Sequence, residues 1–490
     1  MIWQVSILIL YTLSLFIIFI FSIGQACLIF FYLQSKKVKT IIPVLQKDIP
    51  KVTVQLPLYN ELYVVERLIN AVCNLNYPKE KLEIQVLDDS DDDSLILTKR
   101  IIAEKKEQGF DIVHISRTKN IGFKAGALQK GLNIAKGEFI AIFDADFLPE
   151  KDFLIQLIPY FNQSKIGMVQ SRWGHINKDY SLLTKVQGFG LDGHFTIEQT
   201  GRNKAGLFMN FNGTAGIWRK TCIQDAGGWQ HDTLTEDLDL SYRAQLKGWQ
   251  FQYVEDVTTP AELPVELNAF RSQQHRWTKG AIETSKKMVK EIWKADVGLK
   301  KKIFGTLHLM NSYVFLFVFL TSILSIPVLY IKNEGNINPI YFQLMSVFLI
   351  GFLIVTLFYL VANFSKKESF KAFGKLFPMF LSVSIALSFH NSIAVLEGLF
   401  GFKSDFIRTP KFNITNLKEG FKSNIYVKHG LPKAFYIELF LSLYFFTGLV
   451  FAVYYKDFGL FPFHLMLSTG FSILTFYSVK SSLLASPNKG

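Results

Sequence analysis

At 490 residues the chain is too long for one hydrophobic core, so at least two units are expected. Its 49% hydrophobic content, with 47 Phe, is high for a soluble enzyme and includes apolar stretches of membrane-spanning length. The net charge of +13 crowds beside those stretches, which argues against nucleic acid and for anionic lipid headgroups as partners, while three distant cysteines (Cys27, Cys73, Cys222) support neither a disulfide framework nor a zinc site.

Val5 to Leu33 is almost uninterruptedly apolar and ends at Lys36, Lys37 and Lys39. A signal peptide has a shorter core, with its charge ahead of it and a small-residue cleavage site behind. Here the charge follows. Residues 1–35 therefore read as an uncleaved anchor, with the N-terminus outside and Lys36 in the cytoplasm. From Lys51 to Lys279, short β-rich runs alternate with helical patterns, which predicts an α/β unit on an open, largely parallel sheet. Its predicted strands are Val52 to Leu56, Leu82 to Leu87, Ile112 to Ile115, Phe139 to Phe143 and Ile166 to Gln170. Pro57 to Glu61 is the turn after the first strand, and Lys119 to Leu132 is a loop opening a small-residue helix. From Gly201 the pattern is less regular, with F-N-G-T-A-G-I-W-R (Phe211 to Arg219) and a helix after Asp237.

Residues 50–265 are thus the expected catalytic unit, and 266–305 are amphipathic interfacial helices. Residues 306–480 form a membrane domain whose clear spans are Asn311 to Ile331, Tyr341 to Ala362, Phe435 to Tyr455 and Leu460 to Val479. Leu376 to Phe400 is expected to be re-entrant or interfacial. Lysine-rich flanks bracket it, Ser388 to Ser392 interrupts it, and crossing would place one flank outside. His390, Asn391 and Glu397 then stand either at the start of a polymer path or at headgroup level. Little sequence follows the last span, so no C-terminal regulatory domain is expected.

Four strings carry the chemistry. Carboxylates clustered at the ends of hydrophobic strands repel one another and resist burial, so a cation is expected among them. In F-D-A-D-F, a buried strand delivers Asp144 and Asp146 to one crevice, where two alternate carboxylates suit Mg²⁺ or Mn²⁺ carrying a nucleotide diphosphate. In V-L-D-D-S-D-D-D, Asp88 and Asp89 either cap a helix or contact the donor, and Asp91 to Asp93 make a solvated turn. Asp237 in L-T-E-D-L-D-L follows Glu236 at a helix start, where carboxylates are favoured by the dipole. It also offers the base that an acceptor hydroxyl needs, while the metal relieves the leaving diphosphate of any acid. Gln273, Gln274, Arg276 and Trp277 in Q-Q-H-R-W read both as an interfacial anchor and as an aromatic platform with Arg on the phosphate. His194, His275 and His390 read as structural.

These strings, in this order, resemble the processive family-two glycosyltransferases of the cellulose synthase superfamily. V-L-D-D-S, F-N-G-T-A-G-I-W-R, E-L-P (Glu262 to Pro264) and Q-Q-H-R-W bring the chain nearest to cellulose-synthase-like mannan and glucan backbone synthases, and F-I-R-T-P-K (Phe406 to Lys411, within 401–430) is similar to that family's gating loop. The resemblance implies a GT-A domain, Rossmann-like, set between an N-terminal span and a helical membrane domain. It implies Asp237 as base with Asp88 and Asp89 in the catalytic set. Pro57, Tyr59, Glu61, Asp88, Asp89, Lys124, Asp144 and Asp146 would bind the donor, and Asp144 and Asp146 the metal. Glu236, Gln273, Gln274, Arg276 and Trp277 would hold the acceptor end and pyrophosphate. One span before the domain and no cyclic-nucleotide-sensing domain depart from bacterial cellulose synthases.

The expected activity is inverting β-transfer of a hexose from UDP-glucose or GDP-mannose to a growing polysaccharide, with export and accessory export proteins as candidate partners. Transfer of one sugar to a lipid is the alternative. A transporter is disfavoured, because the strong spans carry few ionisable groups. A multi-pass protein with a cytoplasmic catalytic domain is expected, in a bacterial cell membrane or, in a eukaryote, the Golgi.

Overall fold

The computed structural model describes residues 2–37, 43–44, 48–402, 408–414, 425–426 and 430–484. Its catalytic block holds one seven-stranded sheet: β1 (Val52–Leu58), β2 (Leu82–Asp88), β3 (Asp111–Ile115), β4 (Phe139–Ile142), β5 (Ile166–His175), β6 (Gly216–Arg219) and β7 (Gln250–Ala261). The order is β3-β2-β1-β4-β6-β5-β7. β1 pairs in parallel with both β2 and β4, whereas β6 runs antiparallel to β4 and β5. The sheet is therefore mixed, with its parallel part where the predicted strands lie.

Strand alternation builds two apolar layers. Phe139 and Ala141 of β4 join Val54, Leu56, Ile84 and Val86 on the face covered by helices Val65–Cys73 and Ser94–Glu107. Ile140 and Ile142 point the other way, into a core with Leu128 and Leu132 of helix Phe123–Ile134, Met168 and Trp218. Buried polar strand residues are paired. Thr53 donates to Glu83 at 2.6 Å and Gln55 to Gln85 at 3.0 Å. A Cβ at Gly131 would stand 2.6 Å from the Gln55 amide nitrogen and 2.7 Å from Gln85 Oε1, so a larger residue there would have to displace that pair. Chain order reverses between β1 and β4, and in such sheets ligands bind at the strand carboxyl ends beside that point.

Among the described residues, five helices are long and apolar enough to cross a membrane: Ile2–Ser35, Asn311–Glu334, Pro339–Ser365, Phe370–Phe400 and Ala434–Tyr454. Helix Phe461–Leu484 packs against the last of these, with the Ser442 and Ser472 hydroxyls 2.8 Å apart. Leu349, Leu353, Leu443 and Tyr454 are exposed, as lipid-facing side chains would be. Ion pairs tie these helices to the catalytic block, among them Lys36–Glu255 at 3.0 Å and Lys366–Asp192.

The expected break within Leu376 to Phe400 is absent, and Phe370–Phe400 is one unbroken helix of 31 residues. Its polar string is absorbed because Ser388 and Ser392 bond back to the carbonyls of Ile385 and Ser388. His390 meets Glu438 at 2.7 Å and Glu397 meets His275 at 3.0 Å, so two of the three proposed path-lining groups are spent on contacts within the fold. Both ends of this helix touch the catalytic block. Phe373 and Phe377 cluster with Phe189, and Lys279 reaches both Glu397 and the Phe402 carbonyl.

Candidate active site

A cavity of about 260 Å³ opens at the carboxyl ends of β1 and β4. Pro57, Tyr59, Glu61, Asp89, Lys124, Asp144, Asp146, Glu236, Asp237, Gln273, Arg276 and Trp277 all line it. The chain thus gathers residues from four separate strings around one space.

The D-x-D turn follows β4 directly. Lys124, at the start of helix Phe123–Ile134, donates to Asp144 at 2.6 Å and to the Gly213 carbonyl at 2.9 Å. Lys411 stands 2.7 Å from Asp146. Glu61 is buried beside Arg408, which lies 3.3 Å from it and also donates to the Asn60 carbonyl. Burial pushes the Glu61 carboxyl up to about 8, and the attraction of Arg408 and Lys411 does not offset it, because Asp146 and Asp144 repel a further charge. Asp237 sits in the first turn of helix Glu236–Leu246 and accepts from the Leu238 N–H at 2.8 Å. Burial and then Glu236 push it up to about 7 against the pull of Lys124. Its carboxylate stands 3.0 Å from where a Cβ of Gly213 would be, so glycine there keeps the loop against it.

Asp144 and Asp146 fit a divalent cation. Both are hard oxygen donors, and among the described residues no third His, Cys, Asp or Glu joins them, which suits Mg²⁺ or Mn²⁺ completing its shell with phosphate and water. A lysine ammonium already stands against each carboxylate, so the pair draws positive charge to the turn.

The two members of the aspartate pair part company. Asp89 lines the cavity, held by Arg117, whose Nε donates to it at 3.0 Å while the same guanidinium binds the Ile121 and Phe123 carbonyls at 2.7 Å. Asp88, the last residue of β2, does not line it. Asp88 is buried, accepts from the Ser90 N–H at 3.0 Å and meets His114 at 3.3 Å. Burial raises its carboxyl, and the bonds to His114 and Ser90 more than offset that, leaving it below the usual range. Gln274 also lies outside the lining. Asp92, expected in a solvated turn, accepts from Ser94 at the start of helix Ser94–Glu107 and from Tyr426.

Trp277 stands 6.5 Å from Trp173, ring centre to ring centre, and Trp173 packs at 5.0 Å on both Phe147 and Phe195. Trp277 is thus backed by a cluster of tilted and edge-on aromatic rings. Trp173 and His175 on β5, Asn120 and Asn212 line the cavity without having been singled out in the sequence. Asn212 falls inside F-N-G-T-A-G-I-W-R, the one string that pointed to it. F-I-R-T-P-K delivers Arg408, Thr409 and Lys411 into the lining, while its Phe406 and Ile407 lie outside the described residues, as does much of 401–430.

Residues 50–280 match the family described as "Glycosyltransferase like family 2". A probable glucomannan 4-β-mannosyltransferase of Oryza sativa subsp. japonica is 45% identical over 272 residues, covering 54% of this chain and 49% of that protein. Glucomannan 4-β-mannosyltransferase 2 of Arabidopsis thaliana is 44% identical over 250 residues, 50% of this chain and 47% of its own. The chain spans about half the length of these curated relatives. A solved mannosyltransferase of Pyrobaculum calidifontis, in complex with GDP-Man and Mn²⁺, shares the fold at 18% identity and a TM-score of 0.54, over 79% of this chain and 100% of that one. With their mixed sheet, D-x-D turn and convergent carboxylates, residues 50–280 thus form a GT-A-type domain that matches family-2 glycosyltransferases, and the chain is similar to glucomannan 4-β-mannosyltransferases over about half its length.

Proposed function

We propose that the chain is a membrane-embedded, inverting β-mannosyltransferase that extends a polysaccharide from a nucleotide-linked mannose. The relatives' names favour mannose over glucose, which puts GDP-mannose ahead of UDP-glucose as donor. The observation that carries the reading is Asp237. It is a partly buried acid raised to about 7, poised to take a proton near neutrality, in a cavity shared by the D-x-D pair and Trp277.

In this mechanism an acceptor hydroxyl stacked by its sugar on Trp277 gives its proton to Asp237. Its oxygen bonds to the anomeric carbon as the bond from that carbon to the diphosphate breaks. A single displacement inverts the anomeric centre. Lys124, Lys411 and Arg408 meet the charge that develops on the leaving diphosphate. Asp144 and Asp146 would hold Mg²⁺ or Mn²⁺, which when bound neutralises that same charge. Asp89, oriented by Arg117, is left for the nucleoside side of the donor.

The apolar helices support an active site beside a bilayer; in this reading the catalytic block and both flanks of helix Phe370–Phe400 lie on the cytoplasmic side, and the product is exported through the helical domain. The relatives are plant enzymes, so the bacterial cell membrane gains no support from them. The test is to give purified full-length protein radiolabelled GDP-mannose and UDP-glucose in separate reactions, with Mn²⁺ and with EDTA. A β-mannanase-sensitive polymer from GDP-mannose, lost in EDTA, is the expected product. A labelled lipid instead would reassign the acceptor, and full activity in EDTA would remove the metal from the account.

A further inference from the structure

His194 and Glu198 lie outside the cavity lining yet are wired to it. They bracket a single π-helical turn, His194–Glu198, joining helices Leu182–Gly193 and Gln199–Lys204. Such turns are rare and recur at functional sites. His194 Nδ1 stands 2.9 Å from Glu198 Oε2, and Nε2 stands 3.2 Å from Asn212 Oδ1. Glu198 in turn takes Arg202 Nε at 3.0 Å. Burial opposes the charge on Glu198, but Arg202 and His194 hold it ionised, well below the usual range.

The surrounding amides fix which end of Asn212 is which. The Gln199 amide donates to the Asn210 backbone carbonyl at 3.3 Å and to Asn210 Oδ1 at 3.2 Å. Asn210 Nδ2 is therefore the donor end, and it is spent on the Phe211 carbonyl and, at 2.9 Å, on Asn212 Oδ1. Oδ1 of Asn212 thus accepts from Asn210, and it accepts from His194 Nε2 with the ring carrying a proton on both nitrogens, as its place between the Glu198 carboxylate and this oxygen requires. Nδ2 of Asn212 is left with no acceptor among the described residues. The backbone is equally pinned, with the Asn212 N–H on Gln170 Oε1 at 3.1 Å. Asn212 lines the cavity, and the next residue, Gly213, lies against the Asp237 carboxylate. A buried amide donor without a partner is costly, so an acceptor atom is expected to arrive with the substrate.

We propose that His194, held by Glu198, is a positioning residue that orients the Asn212 amide so that its N–H₂ donates to a hydroxyl oxygen of the acceptor sugar beside Asp237. This rests on the transferase reading above. A hydroxyl oxygen that accepts this bond is held with its own proton free to point at Asp237.

The test uses the full-length protein with GDP-mannose as donor and β-1,4-linked mannotetraose as acceptor probe. His194→Phe removes both bonds and should raise the mannotetraose KM about tenfold while the donor KM moves less than twofold. His194→Gln, which keeps an N–H toward Asn212 Oδ1, should recover most of that loss. Asn212→Asp should match His194→Phe, and combining the two should add nothing further, because both break one linkage. A wild-type mannotetraose KM in His194→Phe, a loss shared equally by donor and acceptor, or additive losses would overturn the inference. Should His194→Phe fold poorly, the near-isosteric Asn212→Asp carries the test, and an unchanged mannotetraose KM there is fatal. A wild-type protein that transfers no sugar sinks the transferase reading and this inference with it, whereas transfer with an indifferent His194 sinks only the latter.

Discussion

Lys411 and Asp146 stand 2.7 Å apart, joining the segment that follows helix Phe370–Phe400 to the D-x-D turn of the sheet. Arg408, three positions earlier, reaches Glu61 and the Asn60 carbonyl at the end of β1. Glu262 Oε1 accepts from the Phe412 N–H at 2.9 Å, and Phe412 and Ile414 pack on Val265. The membrane half of the chain therefore supplies one wall of the catalytic cavity.

That contact sets the first prediction. Lys411→Ala should lower kcat/KM for the nucleotide-sugar about 10- to 100-fold, the loss of one charge-assisted bond to phosphate of roughly 1.5–3 kcal/mol. Steady-state donor kinetics check it. An unchanged kcat/KM would confine Lys411 to a resting-state contact with Asp146.

The raised carboxyl of Asp237 predicts a pH limb. The base works only when deprotonated, so log kcat/KM should fall with a slope near one as pH drops below about 7. The linkage to stability has the opposite sense. A folded-state acid raised above its unfolded value of 3.8 keeps a proton that the unfolded chain has lost, so its contribution is present at low pH and fades as pH rises through about 7. A flat kcat/KM profile between pH 5 and pH 8 would contradict the assignment.

Trp277→Ala should depress elongation more than hydrolysis of the donor by water, because a platform under the acceptor sugar matters only when a sugar must be held. Losing an aromatic contact of this kind costs about 0.5–1.5 kcal/mol, or roughly 2- to 13-fold in acceptor KM. Equal losses in both reactions would make Trp277 an anchor for helix Leu267–Lys294 instead.

Helix Phe370–Phe400 should lie along the catalytic block without crossing the bilayer. Phe373 and Glu397, near its two ends, both face that block. Single cysteines at the exposed positions Lys371 and Lys433, in a background lacking Cys27, Cys73 and Cys222, should resist an impermeant thiol reagent until the membrane is opened. Labelling of either from outside would give the helix a full crossing.

Much of this was legible in the sequence because local pattern and tertiary role coincide. Phe139–Ile142 reads as a buried strand and is one, so the carboxylates after it fall in the crevice. Thr235 to Asp237 reads as a helix start, and the helix begins at Glu236. The aspartate pair was read as one unit although adjacent strand-end residues face opposite ways. Asp89 turns into the cavity and Asp88 under it, toward His114. Arg117, Trp173 and His175 left no local signal, since their roles come from neighbours far along the chain. The break expected at Ser388 to Ser392 failed for a simpler reason. Serine hydroxyls close their own bonds within a helix, so polarity there did not mark an interruption.

Asp237→Asn tests the central claim most directly. The substitution keeps shape and removes the base, so calorimetry should find the Kd for GDP-mannose within about threefold of wild type while transfer falls on the order of 10²–10⁴-fold. Wild-type turnover in this variant, or loss of donor binding in step with turnover, would contradict the account.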